Sequence, residues 1–257
     1  MSNHSFVIDA DLAQNAVPGD TLELTGPEAH HAVTVKRVTA GEQLDLLDGR
    51  GLRLSVEVQT TGKDFLSATV VSRSQEATSD HPVTLVQALS KGDRDLQAVE
   101  SAVELGVLAV RPWQADRSIV RWNAAKAEKA LAKWQAQVRS AQKQSRRAFE
   151  PEVLSLVSSK ELAKNIAVET SAGALVLVLH EQAEQSVAVH VSKWQETAQP
   201  GQKVLMIVGP EGGISDTELQ AFVKAGAHAA LLGQHVLRAS TAGPAALVLI
   251  RHLLGEI

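Results

Sequence analysis

Apolar residues follow two different rhythms along this 257-residue chain, and the change falls near Pro82. Before it, "DTLELTG", "EQLDLLDG", "LRLSVEVQT" and "DFLSATVVSR" alternate or run apolar between Gly41, Gly49, Gly51 and Gly62. That pattern predicts short strands and turns, in a small β-barrel or curled sheet, with "DGRG" at 48–51 as a hairpin turn. The polar "SRSQEATSDHP" (72–82) is the best linker, so the expected division is 1–75, linker 76–82 and 83–257. Beyond Pro82 the apolar residues become continuous. "VTLVQAL" (83–89), "VLAVRP" (107–112), "ALVLVLH" (174–180), "KVLMIV" (203–208) and a stretch within 227–232 read as buried strands. Helical segments separate them, including 93–105, where Leu96, Val99 and Val103 share one face, and roughly 123–147. Strands alternating with helices predict an α/β domain with a mainly parallel sheet covered on both faces.

Composition refines this. Hydrophobic residues make up 44% and aromatics 3%, with no Tyr, so Val, Leu, Ile and Ala must build the core. There is no Cys, which excludes disulfides and thiolate metal sites and fits a reducing, cytoplasmic setting. "MSNHSFVIDADL" has no apolar h-region, so no secretory signal is expected. No apolar run approaches the ~18 residues of a membrane span. His30 and His31, read as strand neighbours, point to opposite faces, and with no H-x-x-x-H spacing no metal site is expected. The net charge of −4 carries no nucleic-acid signal for the whole chain, so any basic face is local.

Four stretches carry candidate chemistry. In "IVGPEGGISDTE" the single carboxylate Glu211 stands between Gly209-Pro210 and Gly212-Gly213, at a strand end. Ser215 with Glu218 forms a capping box, so a helix starts near Asp216. The glycines let a flat ligand approach the backbone. A tight connecting turn is the plain alternative. A phosphate cradle is disfavoured, because there is no P-loop Lys and Glu211 would repel phosphate. In "LLGQHVLRASTAGPAALVLI" (231–250) a strand ends at Leu232-Gly233 and a helix opens near Thr241 or Ala242. Ser240 or Thr241 would cap it, with Pro244 in its first turn. Two such strand–loop–helix units at one sheet edge could wrap a single ligand. The third stretch, 126–151, sets Lys126, Lys129, Lys133, Arg139, Lys143, Arg146 and Arg147 against a single acid before Phe149, Glu128, with Trp134 and Val138 as an apolar stripe. It reads either as a solvated helix face or as a phosphate-contacting surface. Lastly, Lys91 and Arg94 stand at a strand-to-helix corner beside the same edge, with Asp93 as a cap.

Six blocks in order, "HHAVTVKRVTAGEQLDLLDGRG", "SKGDR…VELGV", "RPWQADRSIVRW", "QSRR…PEV", "IVGPEGGIS" and "LLGQHVLRASTA", cover nearly the whole chain. Together they resemble the SPOUT-type RNA methyltransferases, specifically the RsmE family, which methylates N3 of a uridine in 16S ribosomal RNA. The resemblance implies an N-terminal PUA-like RNA-binding β domain and a C-terminal α/β domain with a trefoil knot. It also implies a homodimer with its active site at the subunit interface, acting on 16S RNA in the small ribosomal subunit without metal. S-adenosylmethionine would sit against Gly209, Pro210, Gly212, Gly213, Leu232, Gly233, Val236, Leu237, Ser240 and Thr241. RNA would meet Arg37, Lys91, Arg94, Lys126, Lys129, Lys133, Arg139, Lys143 and Arg146. Many relatives have Glu-Gln-Ser-Gly-Arg where this chain has Lys143 to Arg147, and Thr-Glu-Thr where it has Ala239-Ser240-Thr241, so no glutamate role transfers to position 240.

Attack by uracil N3 requires loss of the imide proton and stabilisation of the resulting anion. Arg147 and Arg238 are the candidates for that stabilisation, and Glu211 is a catalytic or structural anchor. Two rivals remain. One is an RNA-binding assembly factor of the same fold without catalysis. The other is an ordinary doubly wound nucleotide enzyme, disfavoured because "SKGDRD" after the first C-terminal-domain strand holds one glycine.

Overall fold

The computed structural model describes residues 3–257, so the first two positions of the expected N-terminal domain lie outside the described residues. The chain separates into two compact units: the stretch up to Thr78 together with Gln142–Glu150, and Ser79–Ala141 together with Pro151–Ile257. The 142–150 segment, assigned by sequence to the C-terminal domain, is thus packed with the first unit.

In the first unit, β1 (His4–Val7), β2 (Thr21–Thr25), β3 (Gln43–Leu47), β4 (Leu52–Thr61) and β5 (Phe65–Gln75) form one sheet in the order β1-β3-β4-β5-β2. Alternation in β4 puts Leu52, Leu54, Val56 and Val58 inside, and irregularities at Ser55/Val56 and Val58/Thr60 bend it against β5. Asp48 closes the expected hairpin turn by accepting the Arg50 and Leu52 amides. Three features escaped the sequence reading: β1, and the helices α1 (Ala10–Gln14) and α2 (Gly26–His30). Pro27 in the first turn of α2 starts a helix that continues as a π turn over His31–Val35. His30 and His31 are therefore helical, not strand neighbours. His30 bonds Asp64 and the His31 ring packs edge-on against Phe6.

The second unit holds β6 (Val83–Ala88), β7 (Ala109–Gln114), β8 (Glu152–Val153), β9 (Val157–Ser158), β10 (Leu175–Leu179), β11 (Val204–Val208) and β12 (His228–Ala230). They form one parallel sheet, β12-β10-β11-β6-β7-β8, with β9 also on β7. Successive residues face opposite sides, and both sides are covered. Leu175 and Leu177 join Leu85, Met206 and Val208 beneath α3 (Arg94–Glu104), α6 (Val187–Gln195) and α8 (Ala239–Leu253). Val176 and Val178 join Val86, Trp113 and Ile207 beneath α5 (Ser159–Ser171) and α7 (Asp216–Lys224). The basic helix α4 (Ala124–Ser145) is anchored by its stripe. Trp134 and Val138 are fully buried, and Trp134 meets Trp122 edge to face at 5.9 Å. Truncating Trp134 to Ala would cost about 3–5 kcal/mol.

Two helix starts differ from expectation. α8 opens at Ala239, not near Thr241, because the carbonyl of Arg238 accepts the Thr241 and Ala242 amides and no side chain caps it. Pro244 consequently lies inside the helix, beyond the first turn. A Cβ on Gly243 would come within 3.0 Å of Leu85, so a glycine there lets α8 settle on β6. Asp93 precedes α3 with a left-handed backbone (φ 56°) and makes no side-chain cap, its carboxylate instead accepting Lys133 at 2.8 Å.

Candidate functional site

The carboxyl ends of β10, β11 and β12 are neighbours in the sheet, and the loops leaving them enclose a cleft of about 450 Å³. Leu179, Val208, Val236, Leu237, Ala239 and Ala242 supply its apolar wall. Arg94, Arg117 and Arg238 face Glu181, Glu211 and Asp216. The balance of three cations and three carboxylates suits a ligand that carries both signs of charge and an apolar body. A smaller hollow of about 100 Å³ adjoins it, lined by Leu231 to Leu237 and by Leu179 to Glu181.

The capping box at the start of α7 is formed as expected: Ser215 Oγ accepts the Glu218 amide and Glu218 accepts the Ser215 amide. Glu218 does more than cap. It is 2% exposed and also accepts the Asp116 amide (2.7 Å) and the Ser159 hydroxyl (2.5 Å). Three elements thus converge on this carboxylate as their common hydrogen-bond acceptor. Ser215 Oγ in turn donates to Asp116 Oδ2 at 3.2 Å.

Glu211 is anchored. Its Oε1 accepts the Lys91 amide at 3.0 Å and lies 3.4 Å from Arg94 Nη1, so the corner after β6 is tied to the loop after β11. Its side chain remains about 25% exposed rather than buried. Gly213 adopts a left-handed backbone (φ 73°) and donates to the Pro210 carbonyl at 2.9 Å. Gly212 is needed for a different reason: a Cβ there would press on Arg117, 3.1 Å from its Cβ and 3.3 Å from its carbonyl.

Of the expected cofactor residues, Gly209, Pro210, Gly212, Gly213, Val236 and Leu237 line the larger cleft, and Leu232 and Gly233 line the hollow. Ser240 and Thr241 stand in the first turn of α8, where Ala239 and Ala242 are the cleft-lining residues. Arg238 and Glu211 line the cleft, whereas Arg147 belongs to the other unit, where its amide donates to Gln142 at 3.1 Å. The sequence reading missed Arg117 and the His180-Glu181 loop after β10. Only the position of β10 between β11 and β12 gives that loop its significance.

The basic residues divide. Lys126, Lys129 and Arg139 are exposed on α4; Arg37 and Arg146, outside that helix, are also exposed and have left-handed backbones. Lys133 pairs with Asp93, and both are well exposed, so solvent screens that pair. Lys143 is 19% exposed and paired with Glu28 at 2.9 Å, a structural contact inside the first unit. Arg94 pairs with Glu211, which also accepts the backbone amide of the exposed Lys91. Among the described residues no group of three His, Cys, Asp or Glu is gathered to hold a metal ion, and no helix is long and apolar enough to cross a membrane.

Comparison with known proteins places this architecture. Residues 77–251 match the model of an RNA methyltransferase domain and residues 24–71 that of an RNA methyltransferase PUA domain. The chain is 43% identical over 229 residues to the ribosomal RNA small subunit methyltransferase E of Mycobacterium bovis, covering 89% of this chain and 85% of that one. It is 29% identical over 224 residues to the protein of that name in Bacillus subtilis, covering 86% of each. Among solved structures, it is similar to a ribosomal RNA small subunit methyltransferase E from Neisseria gonorrhoeae bound to S-adenosyl methionine. The TM-score is 0.83 at 28% identity, over 98% of both chains. A methyltransferase from Legionella pneumophila, also with bound cofactor, gives 0.82 at 26% identity over 98% of both. A PUA-like β domain and a parallel α/β methyltransferase domain thus stand in the expected order, and the chain belongs to the ribosomal RNA small subunit methyltransferase E family of RNA methyltransferases.

Proposed function

We propose that this protein transfers a methyl group from S-adenosylmethionine to N3 of a uridine in the 16S RNA of the small ribosomal subunit. The observation that supports it best is the charge-balanced, part-apolar cleft at the carboxyl ends of β10, β11 and β12, in a chain whose relatives are S-adenosylmethionine-bound. The residues fit that molecule. Val236 and Leu237 offer exposed apolar surface for a flat base, and arginines and carboxylates stand ready for an amino-acid end. The loops 209–213 and 232–237 would hold it, and it would supply an electrophilic methyl group. This chain's part is to orient the ring nitrogen and to stabilise the uracil anion as the imide proton leaves. Arg238, which lines the cleft, and Arg147 are the proposed donors. Glu211 is proposed as an anchor, since its Oε1 is already committed to Lys91 and Arg94. Residues 1–75 serve as the RNA-binding domain, the second unit within 83–257 as the catalytic domain with its trefoil knot, and two copies form the working dimer in the cytoplasm. Lys126 and Lys129 meet RNA phosphates.

Nucleoside analysis of small-subunit RNA from a strain lacking the protein is the direct test. N3-methyluridine should disappear and return with the wild-type chain. Return with an Arg238→Ala, Arg147→Ala double variant at the wild-type single-turnover rate would remove both arginines from the chemistry. Unchanged N3-methyluridine in the deleted strain rejects the reading and leaves a binding factor of the same fold.

A further inference from the structure

The loop between β7 and α4 grips the cofactor loop at three points. Asp116 donates its amide to Glu218 and accepts the Ser215 hydroxyl. Arg117 Nη1 donates to the Gly212 carbonyl at 3.2 Å, with the Ile214 carbonyl at the limit of contact, 3.5 Å. Arg117 also lines the cleft, and it lies so close to Gly212 that a Cβ there would meet the Arg117 Cβ at 3.1 Å and its carbonyl at 3.3 Å. Carbonyls at a strand-to-helix turn otherwise point wherever the flexible glycines allow, so a fixed cation beside Gly212 selects one orientation of the Gly212-Gly213 turn. On the other side, Glu211 ties the same loop to Lys91 and Arg94.

We propose that Arg117 is a positioning residue: through Gly212 it fixes the Gly209–Ile214 loop in the shape that receives the methyl donor. This rests on the function proposed above. Among the described residues the guanidinium engages the loop through Nη1 alone. A single ammonium donor therefore suffices, whereas an uncharged side chain of the same length does not. That distinguishes the role from packing, which a thioether stem would preserve, and from a two-nitrogen fork, which lysine cannot replace.

The test compares Arg117→Lys and Arg117→Met by hydrogen exchange of the ligand-free protein and by titration with S-adenosylhomocysteine, with thermal unfolding to show that both fold. In Arg117→Met the Gly213 amide should exchange about tenfold faster and S-adenosylhomocysteine should bind about tenfold more weakly, the scale of one charge-assisted hydrogen bond. In Arg117→Lys both should stay within about threefold of wild type. Wild-type exchange in the Met variant overturns the proposal, as does equal loss in Met and Lys variants, or faster exchange with unchanged affinity. Wild-type protein that fails to bind S-adenosylhomocysteine instead rejects the proposed function, a result distinct from any pattern among the variants.

Discussion

Two loops that look equivalent in sequence are held very differently. The loop after β11 is stitched on both sides: Glu211 to Lys91 and Arg94, Arg117 to Gly212, and Ser215 and the buried Glu218 to Asp116. The loop after β12 has none of this. Among the described residues, no side-chain hydrogen bond reaches 233–237. Gly233 (φ 92°) has open space where a Cβ would stand, and Val236 is 77% exposed. Apolar side chains at a cleft mouth gain free energy when a ligand covers them, and that gain offsets the entropy lost in ordering a loop with few internal contacts. The contrast assigns one wall of the cleft to the fold and the other to the ligand.

The largest effect should come from the stitched side. Glu218→Ala removes a buried carboxylate and leaves the Ser215 and Asp116 amides and the Ser159 hydroxyl without that acceptor. Urea unfolding should show a loss of about 3 kcal/mol. A loss below about 0.5 kcal/mol would mean the stitched wall is no more integral than the loose one. The loose side should respond in binding instead. A Val236→Ser, Leu237→Ser variant should unfold like wild type yet bind S-adenosylhomocysteine about tenfold more weakly, from lost apolar contact. A large drop in its ligand-free stability would erase the distinction.

The smallest effect concerns His228, on the strand that feeds the loose loop. Burial, and then the stacked His190 with Lys193, lower its pKa from 6.5. The unfolded chain takes up the proton more readily, so this contribution is fully present above about pH 6.5 and is lost as pH falls through the depressed folded value. His228→Gln should flatten that part of the stability profile, with hydrogen exchange locating the acid-sensitive opening in β12 and its loop. An unaltered profile would detach the histidine from that wall.

The strands of the second unit were readable because parallel strands covered on both faces become continuous apolar runs. The start of α7 was readable because its cap is local, Ser215 and Glu218 lying three residues apart. The start of α8 was misread for the converse reason. Ser240 and Thr241 look like caps, but Arg238 caps with its backbone carbonyl, which no residue type announces. In the first unit, α2 and its π turn hid in "GPEAHHAVTV", where β-branched residues and paired histidines suggested a strand.

The amino-acid sequence by itself determined the main strands of the second unit, the two glycine-bearing loops that face the cleft, and the family, because each rests on patterns a few residues long in a fixed order. What the cleft contains was decided by tertiary structure. Glu211 meets Lys91 across 120 positions and Arg117 meets Gly212 across 95, contacts that exist because strand order sets β6 beside β11 and β7 beside β6. Lys133 and Lys143, expected to meet RNA, are paired in the folded chain with Asp93 and Glu28. Charge is written in the sequence, but its partner depends on which distant carboxylate the folded backbone brings within reach, and only packing sets that distance.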